Sequence, residues 1–280
     1  WVGDIIDYCT ENNVPLDFVS THIYPQDEYC RFQDRVGSPY PVGYYYEGIV
    51  KGVEQEVLNS KRPDIDIYWT EYNTLSTDCS KNITFLNNTA LDRLYGASCV
   101  VRNMVSAMGH CESISYWTVS DIFEEAQMRH TPFSGTYGLI TIHGIRKATY
   151  NAFILMRQMK GEIYNVEETE FPLGCSILAS EENGIYHLLL WNCNIPEMKE
   201  PFVWKDSIVL DNISENSAEN YMVLQAKLEK SQGSAYEAWL EVGKPANLTS
   251  FQERYLKGCS EMKYSVVDLQ RDRKVSFNLQ

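Results

Sequence analysis

The feature that most constrains the fold is a regular alternation of helical and strand-like patterns over the first 160 residues. Four segments carry apolar residues at helical spacing: 1–13, 44–60, 91–108 and 147–159. Between them lie three short runs with the apolar alternation of strands: 15–25, 64–73 and 113–118. Strands that are separated by helices are typical of βαβ units, in which the strands run parallel. The alternation therefore predicts an α/β fold built on a parallel sheet.

Beyond residue 161 the pattern changes to short strand-like segments between turn residues, with the two helical segments 235–242 and 250–256 among them. The strand-like segments are 174–180, 184–192, 201–210, 219–229, 262–268 and 273–279. Three parallel strands cannot close a barrel, which needs about eight. The simplest interpretation is that residues 1–160 form the C-terminal part of a (β/α)8 TIM barrel and residues 161–280 an antiparallel β-sandwich domain.

Composition excludes several classes of function. A formal net charge of −14 argues against a basic surface for nucleic acid or an anionic membrane, and no run reaches membrane-spanning length. The eight cysteines contain no C-x-x-C pair and no cysteine–histidine spacing suited to zinc. We therefore expect no metal. Buried free thiols would fit a reducing compartment, which favours the cytoplasm.

Polar and aromatic side chains follow the end of each predicted parallel strand. They are His22 and Tyr24, then Glu71, Tyr72 and Asn73, then Trp117, Asp121, Glu124 and Glu125. The carboxyl ends of barrel strands meet at one mouth, and carboxylates surrounded by aromatic rings are what glycoside hydrolysis requires. Each residue taken alone also has a simpler interpretation: a solvated strand end for Glu71, core packing for Trp117, or an acidic first helical turn for Glu124.

Four motifs together resemble the β-xylosidases of glycoside hydrolase family 39. They are DFVSTHIYP (17–25), YWTEYNT (68–74), SYWTVSDIFEE (115–125) and GTYGLITIHGIRKATYNAF (135–153), and their order and spacing also match. A fainter resemblance continues through AYEAWLEVGKP (235–245). The resemblance implies a (β/α)8 barrel with an attached β-sandwich and hydrolysis of β-xylosides with retention, without a cofactor.

The resemblance also implies roles for individual residues. Glu71 would be the nucleophile that forms the covalent glycosyl-enzyme. His22 and Tyr24 would line the glycone subsite, and Trp117 and Glu124 would hold the far side of the sugar. Tyr72 and Asn73 flank the nucleophile, would tune or orient it, and are expected among the substrate-binding residues.

One part of the family pattern is absent from these 280 residues. The family's acid/base glutamate follows an asparagine at the end of the fourth barrel strand, whereas this chain matches from the helix after the fifth strand. We therefore expect the same or another chain to supply the acid/base and to cover the exposed sheet edges, and we expect this fragment alone to be inactive. Ser134 and Thr136 replace an expected His and Gly, and Ala148 an expected Pro, which leaves the exact substrate open.

Two other functions remain open at this point. One is another activity of the same family, iduronidase-like or arabinosidase-like; an iduronidase would present basic residues to its substrate carboxylate, and few Lys or Arg lie near the motifs. The other is an inactive fragment or a non-catalytic sugar-binding protein. The expected partner is a small carbohydrate such as a xyloside or xylo-oligosaccharide, and a homo-oligomer stays open.

Overall fold

A computed structural model describes residues 1–24, 45–74, 91–122, 130–166, 171–172, 174–193, 203–209, 222–230, 232–267 and 274–279. Its helices are α1 (Val2–Glu11), α2 (Tyr45–Leu58), α3 (Leu94–Ser106), α4 (Ala148–Gln158), α5 (Tyr236–Glu241) and α6 (Ser250–Cys259). Each helical segment predicted from the sequence overlaps one of them. Five of the predicted segments extend slightly beyond their helix, whereas the segment 250–256 is three residues shorter than α6, which ends at Cys259. Within the described ranges, no helix is both long enough and apolar enough to cross a membrane.

The first three strands are β1 (Phe18–Ile23), β2 (Asp66–Tyr72) and β3 (Ser113–Tyr116). Later strands are β4 (Glu162–Tyr164), β5 (Cys175–Glu182), β6 (Ile185–Asn192), β7 (Trp204–Val209), β8 (Val223–Ala226), β9 (Glu229–Lys230), β10 (Gly233–Ser234), β11 (Tyr264–Val267) and β12 (Lys274–Leu279).

Strands β1, β2 and β3 form one sheet in that order, and both pairings are parallel. The chain passes through helix α2 between the first two strands and through helix α3 between the second and third. The predicted parallel α/β arrangement is thus confirmed for this part of the chain.

The two faces of this sheet differ sharply in burial. One face packs against the helices in a core that includes Ile23, Ile67, Trp69 and Tyr72. On the other face Phe18 is 51% exposed, and Ser20, Thr70 and Ser115 are also exposed. This exposure is unusual, because parallel sheets are normally buried on both faces. Among the described residues, nothing covers the second face.

The later strands pair mostly antiparallel, as the sequence predicts. They form a sheet β4-β5-β6 and the pairs β7–β12 and β8–β11, while β9 and β10 form a two-residue parallel pair. Among the described residues these are separate small sheets rather than two layers of one sandwich, and three parallel strands do not make a closed barrel. The structure therefore supports the α/β class, while the barrel, the sandwich and the division at residue 160 stay predictions.

The cysteines within the described ranges are free thiols. Cys99, Cys175, Cys193 and Cys259 are buried, whereas Cys9 and Cys111 are only half-buried. The prediction of free thiols is therefore confirmed for this part of the chain, and the prediction of burial holds for four of these six residues.

Candidate active site

Glu71 lies near the carboxyl end of β2, where the regular strand alternation breaks. Trp69 and Tyr72 are both buried in the helix-covered core, although strict alternation would place residues three apart on opposite faces. The pairing registers shift between Trp69 and Tyr72 and between Thr21 and His22. This irregularity leaves the Glu71 side chain 26% exposed at the strand end, opposite His22 on β1.

Two groups from the end of β1 converge on the Glu71 carboxylate. The Tyr24 hydroxyl donates a hydrogen bond of 2.9 Å to Oε2. The Nδ1 atom of His22, whose side chain is 54% exposed, lies 3.2 Å from the same oxygen. Both contacts involve Oε2, so among the described residues Oε1 is the carboxylate oxygen without a hydrogen bond. The structure thus brings together three of the residues singled out from the sequence, with one carboxylate oxygen open.

Tyr72 points into the core rather than toward the open end of the sheet. Its ring centroid lies 4.9 Å from that of Tyr46 and 6.1 Å from that of Tyr116. Its hydroxyl accepts a hydrogen bond of 2.8 Å from Nδ2 of Asn103. Burial raises the pKa of Tyr72 well above its usual value. These contacts suit a residue that fixes the strand beneath Glu71, and they leave no surface for direct contact with a sugar.

Asn73 links the ends of β2 and β3. It is fully buried, and its Nδ2 atom donates a hydrogen bond of 2.5 Å to the backbone oxygen of Trp117. The backbone N–H of Trp117 in turn donates to the oxygen of Tyr72 at 2.8 Å. Trp117 is half-buried, and its peptide bond to Thr118 is cis. Glu124, the other residue expected on this side, lies outside the described residues.

We expect Tyr72→Phe to lower the free energy of unfolding by about 1–3 kcal/mol, because the buried Asn103 amide would lose its acceptor. A urea unfolding curve measures the change. Tyr264→Phe is the matched control: Tyr264 is 51% exposed on β11, and the change should cost less than about 0.5 kcal/mol. Equal losses in the two variants would contradict this role for the Tyr72 hydroxyl.

The sequence did not single out Tyr137, which packs beside the candidate site. Its ring centroid lies 6.0 Å from that of Tyr24, with the ring planes at 70°. The backbone around it runs alongside the segment after β3, since Thr118 donates to the oxygen of Tyr137 and Leu139 donates to the oxygen of Thr118. Gly138 makes this approach possible, because a Cβ there would lie 2.2 Å from the backbone nitrogen of Asp121. Strand or helix periodicity does not predict this close approach, because it depends on how two separate segments of the chain pack together.

A buried ion cluster, the Lys147 cluster, consists of Lys147, Asp92 and Asp121. Nζ of Lys147 lies 2.7 Å from Oδ1 of Asp92 and 2.9 Å from Oδ1 of Asp121, and all three side chains are buried. Burial alone would lower the pKa of Lys147, but the two carboxylates outweigh it and raise the pKa. Burial raises the pKa of Asp92, against the effect of Lys147. The cluster joins the starts of α3 and α4 to the segment after β3.

The described residues contain no group of three or more His, Cys, Asp or Glu that could hold a metal ion. The Lys147 cluster does not change this, because the ammonium group occupies the space between its two carboxylates. The described arrangement around Glu71 therefore offers a carboxylate, an imidazole and a phenol. Such a set suits nucleophilic attack on an electrophilic carbon or the binding of sugar hydroxyls.

Comparison with known proteins assigns residues 1–273 to the family model Glycosyl hydrolases family 39. A beta-xylosidase of Caldicellulosiruptor saccharolyticus is 30% identical over 284 residues, which cover 100% of this chain and 54% of that protein. A beta-xylosidase of Geobacillus stearothermophilus is 26% identical over 256 residues, or 88% of this chain and 45% of that protein. The chain thus spans about half the length of the curated relatives it matches.

Solved structures share the fold. A GH39 beta-xylosidase from Caulobacter crescentus superimposes with a TM-score of 0.67 at 22% identity, over 99% of this chain and 54% of that one. A GH39 enzyme from Xanthomonas axonopodis pv. citri gives a TM-score of 0.72 at 21% identity, over 99% of this chain and 55% of that one. At this level of identity the match concerns the α/β fold alone.

Proposed function

This chain belongs to glycosyl hydrolases family 39, and from that premise we propose that it is part of a retaining β-xylosidase in which Glu71 is the nucleophile. The observation that carries the proposal is the convergence of His22 and Tyr24 on one oxygen of the Glu71 carboxylate, at the open end of a parallel sheet. This arrangement orients the carboxylate, and among the described residues its other oxygen stays available for attack.

The reaction would proceed in two displacements. In the first, Oε1 of Glu71 attacks the anomeric carbon, the glycosidic C–O bond breaks, and a second carboxylic acid protonates the leaving oxygen. In the second, that carboxylate takes a proton from water, the water oxygen attacks the same carbon, and the bond to Glu71 breaks. Two inversions restore the original β configuration. The hydrogen bond from Tyr24 fixes the carboxylate in the direction that the attack needs.

The acid/base lies outside this chain in our proposal. Retaining hydrolysis needs a second carboxyl group roughly 5–5.5 Å from the nucleophile, and by the family resemblance that group follows an asparagine at the end of the fourth barrel strand, upstream of the part of the family pattern that these residues match. The uncovered face of the β1-β2-β3 sheet supports the same idea, since in a barrel that face would be the packed interior. We therefore propose that the three strands are the C-terminal part of a (β/α)8 barrel completed by other residues, and that residues 161–280 form the β-sandwich domain.

Four of the other site residues would bind the sugar, and two would position the strand ends. His22 and Tyr24 would contact the glycone next to Glu71, while Trp117 would stack on the sugar and Glu124 would accept hydrogen bonds from its hydroxyls. Asn73 and Tyr72, both buried, would position the strand ends without touching the sugar. The two curated relatives named above are beta-xylosidases. Few basic residues lie near the motifs to bind the carboxylate of an iduronide. Both observations favour a xyloside as substrate.

The full-length protein that contains this chain should hydrolyse p-nitrophenyl β-xyloside in preference to the arabinoside, glucoside and iduronide. Proton NMR during the reaction should show β-xylose as the first product, because two inversions amount to retention. Residues 1–280 alone, assayed in parallel, should show no hydrolysis, since one of the two carboxylates is missing. Release of α-xylose first would contradict the double displacement, and sugar binding without hydrolysis by the full-length protein would favour the non-catalytic alternative.

A further inference from the structure

We propose that the Lys147 cluster is a positioning element for the nucleophile, acting on Glu71 through Tyr137 and Tyr24. The inference rests on the proposed function, because it takes Glu71 as the reacting carboxylate. None of the three cluster residues touches Glu71. Their effect on the reaction would come entirely from the backbone segment that they hold.

The Lys147 cluster hydrogen-bonds backbone groups on both sides of Tyr137. Oδ2 of Asp92 accepts a hydrogen bond of 2.7 Å from the N–H of Gly135. Nζ of Lys147 donates to the backbone oxygen of Thr136 at 2.8 Å. Beyond Tyr137, Oδ1 of Asp121 accepts from the N–H of Gly138 at 2.8 Å. Each contact pairs a buried charge with a backbone group, the type of hydrogen bond that is shortest and strongest in proteins.

The segment held in this way presents the Tyr137 ring to the active site. That ring meets the Tyr24 ring edge-on, with the centroids 6.0 Å apart, and such contacts favour one relative orientation. Tyr24 then donates its hydroxyl to Glu71 at 2.9 Å. A continuous series of direct contacts therefore runs from the buried ammonium group of Lys147 to the nucleophilic carboxylate.

The ionic character of the Lys147 cluster also supports a positioning role rather than a purely stabilising one. Burying three charges is expensive, and a well-packed apolar replacement is often as stable or more so. Charged groups in fixed geometry do, however, define one conformation of the backbone groups that they bind. A segment that must place an aromatic ring accurately beside a reacting group gains from this, because errors of about 1 Å can cost a large factor in rate.

A double-mutant cycle of Lys147→Met and Tyr24→Phe in the full-length protein tests the inference. The measured quantity is kcat/KM for a β-xyloside. A slow inactivator titrates the active sites, so that kcat/KM is expressed per functional site and unfolded protein does not count. Tyr24→Phe alone should lower kcat/KM roughly 10- to 100-fold, through the lost hydrogen bond to a charged oxygen. Lys147→Met alone should lower it about 10-fold, with the larger part of the loss in kcat rather than KM. In the Tyr24→Phe background, Lys147→Met should cost less than about twofold, because residues that act through one another are not additive.

Tyr137→Leu provides a second route to the same test, since it removes the ring without stranding a buried charge if Lys147→Met fails to fold. The fall in kcat/KM caused by Tyr137→Leu should also nearly vanish in the Tyr24→Phe background. Tyr137→Phe keeps the ring, so it should retain most of the wild-type kcat/KM. Arg146→Met is the matched control: Arg146 precedes Lys147, and its ion pair with Glu261 is exposed. It should change kcat/KM less than about twofold.

Additive losses in the cycle would overturn the inference, because a purely structural cluster would weaken the enzyme equally with and without the Tyr24 hydroxyl. Glu71→Ala separates this failure from failure of the proposed function; its turnover is expressed per mole of folded protein, because it has no nucleophile for the inactivator to titrate. If Glu71→Ala abolishes turnover and the cycle is additive, only the positioning role is wrong. If Glu71→Ala retains turnover, the proposed function itself is wrong.

Discussion

Glu71→Ala in the full-length protein should lower kcat/KM for a β-xyloside by about 10⁴-fold or more, which corresponds to roughly 5 kcal/mol of lost transition-state stabilisation. The loss is large because the carboxylate makes a covalent bond in the transition state, and no other group takes its place. The alanine variant should remain folded, since the Glu71 side chain is partly exposed and forms no part of the core.

Azide offers a sharper version of this experiment. A small anion can enter the space left by the Glu71 carboxylate and attack the anomeric carbon of an activated β-xyloside. One displacement inverts the configuration, so the expected product is the α-xylosyl azide. Asp64→Ala is the matched control, because Asp64 is an exposed carboxylate that precedes β2 and pairs with Arg62, and it should change kcat/KM less than about twofold. Full turnover in Glu71→Ala, or loss of turnover in Asp64→Ala, would contradict the assignment.

Lys147→Met should lower the free energy of unfolding by about 3–5 kcal/mol, because it strands two buried carboxylates without their counter-charge. The urea midpoint of the full-length protein measures the loss. Adding Asp92→Asn and Asp121→Asn should recover much of it, since the amide oxygens still accept from Gly135 and Gly138 and no charge is left buried.

Arg146→Met is again the control. Because the ion pair of Arg146 with Glu261 is exposed, the free energy of unfolding should change by less than about 1 kcal/mol. A loss in Lys147→Met no greater than in Arg146→Met would show that the cluster contributes little to the fold. Failure of the two asparagine changes to restore stability would show that the loss comes from the missing lysine packing rather than from unpaired charge.

The parallel sheet and the group around Glu71 were predictable because both follow from local rules. Alternating apolar residues define β2, and the carboxyl ends of parallel strands share one edge, so His22 and Glu71 had to lie near each other once the strands were parallel. The break in alternation before Tyr72 was not predictable. A register shift places both Trp69 and Tyr72 in the core, and it reflects packing against the helices rather than a pattern within the strand.

The Lys147 cluster was not predictable for a different reason. A lysine at the start of a helix is normally exposed, and its spacing from Asp92 carries no periodic signal. The cluster exists because the segment after β3 folds back beside residues 135–140, as the close approach of Gly138 to Asp121 requires. The motif that contains Lys147 helped to indicate the family, yet only the structure shows which groups the lysine binds.

The most direct test of Glu71 as the nucleophile is to label the full-length protein with 2-deoxy-2-fluoro-β-xylosyl fluoride. Fluorine at C2 destabilises the oxocarbenium-like transition states of both steps, while the fluoride leaving group lets the first step proceed, so the covalent intermediate accumulates. Proteolysis and mass spectrometry then locate the attached sugar. We expect a single fluoroxylosyl ester on Glu71. An ester on another carboxylate, or inactivation without any adduct on Glu71, would contradict it.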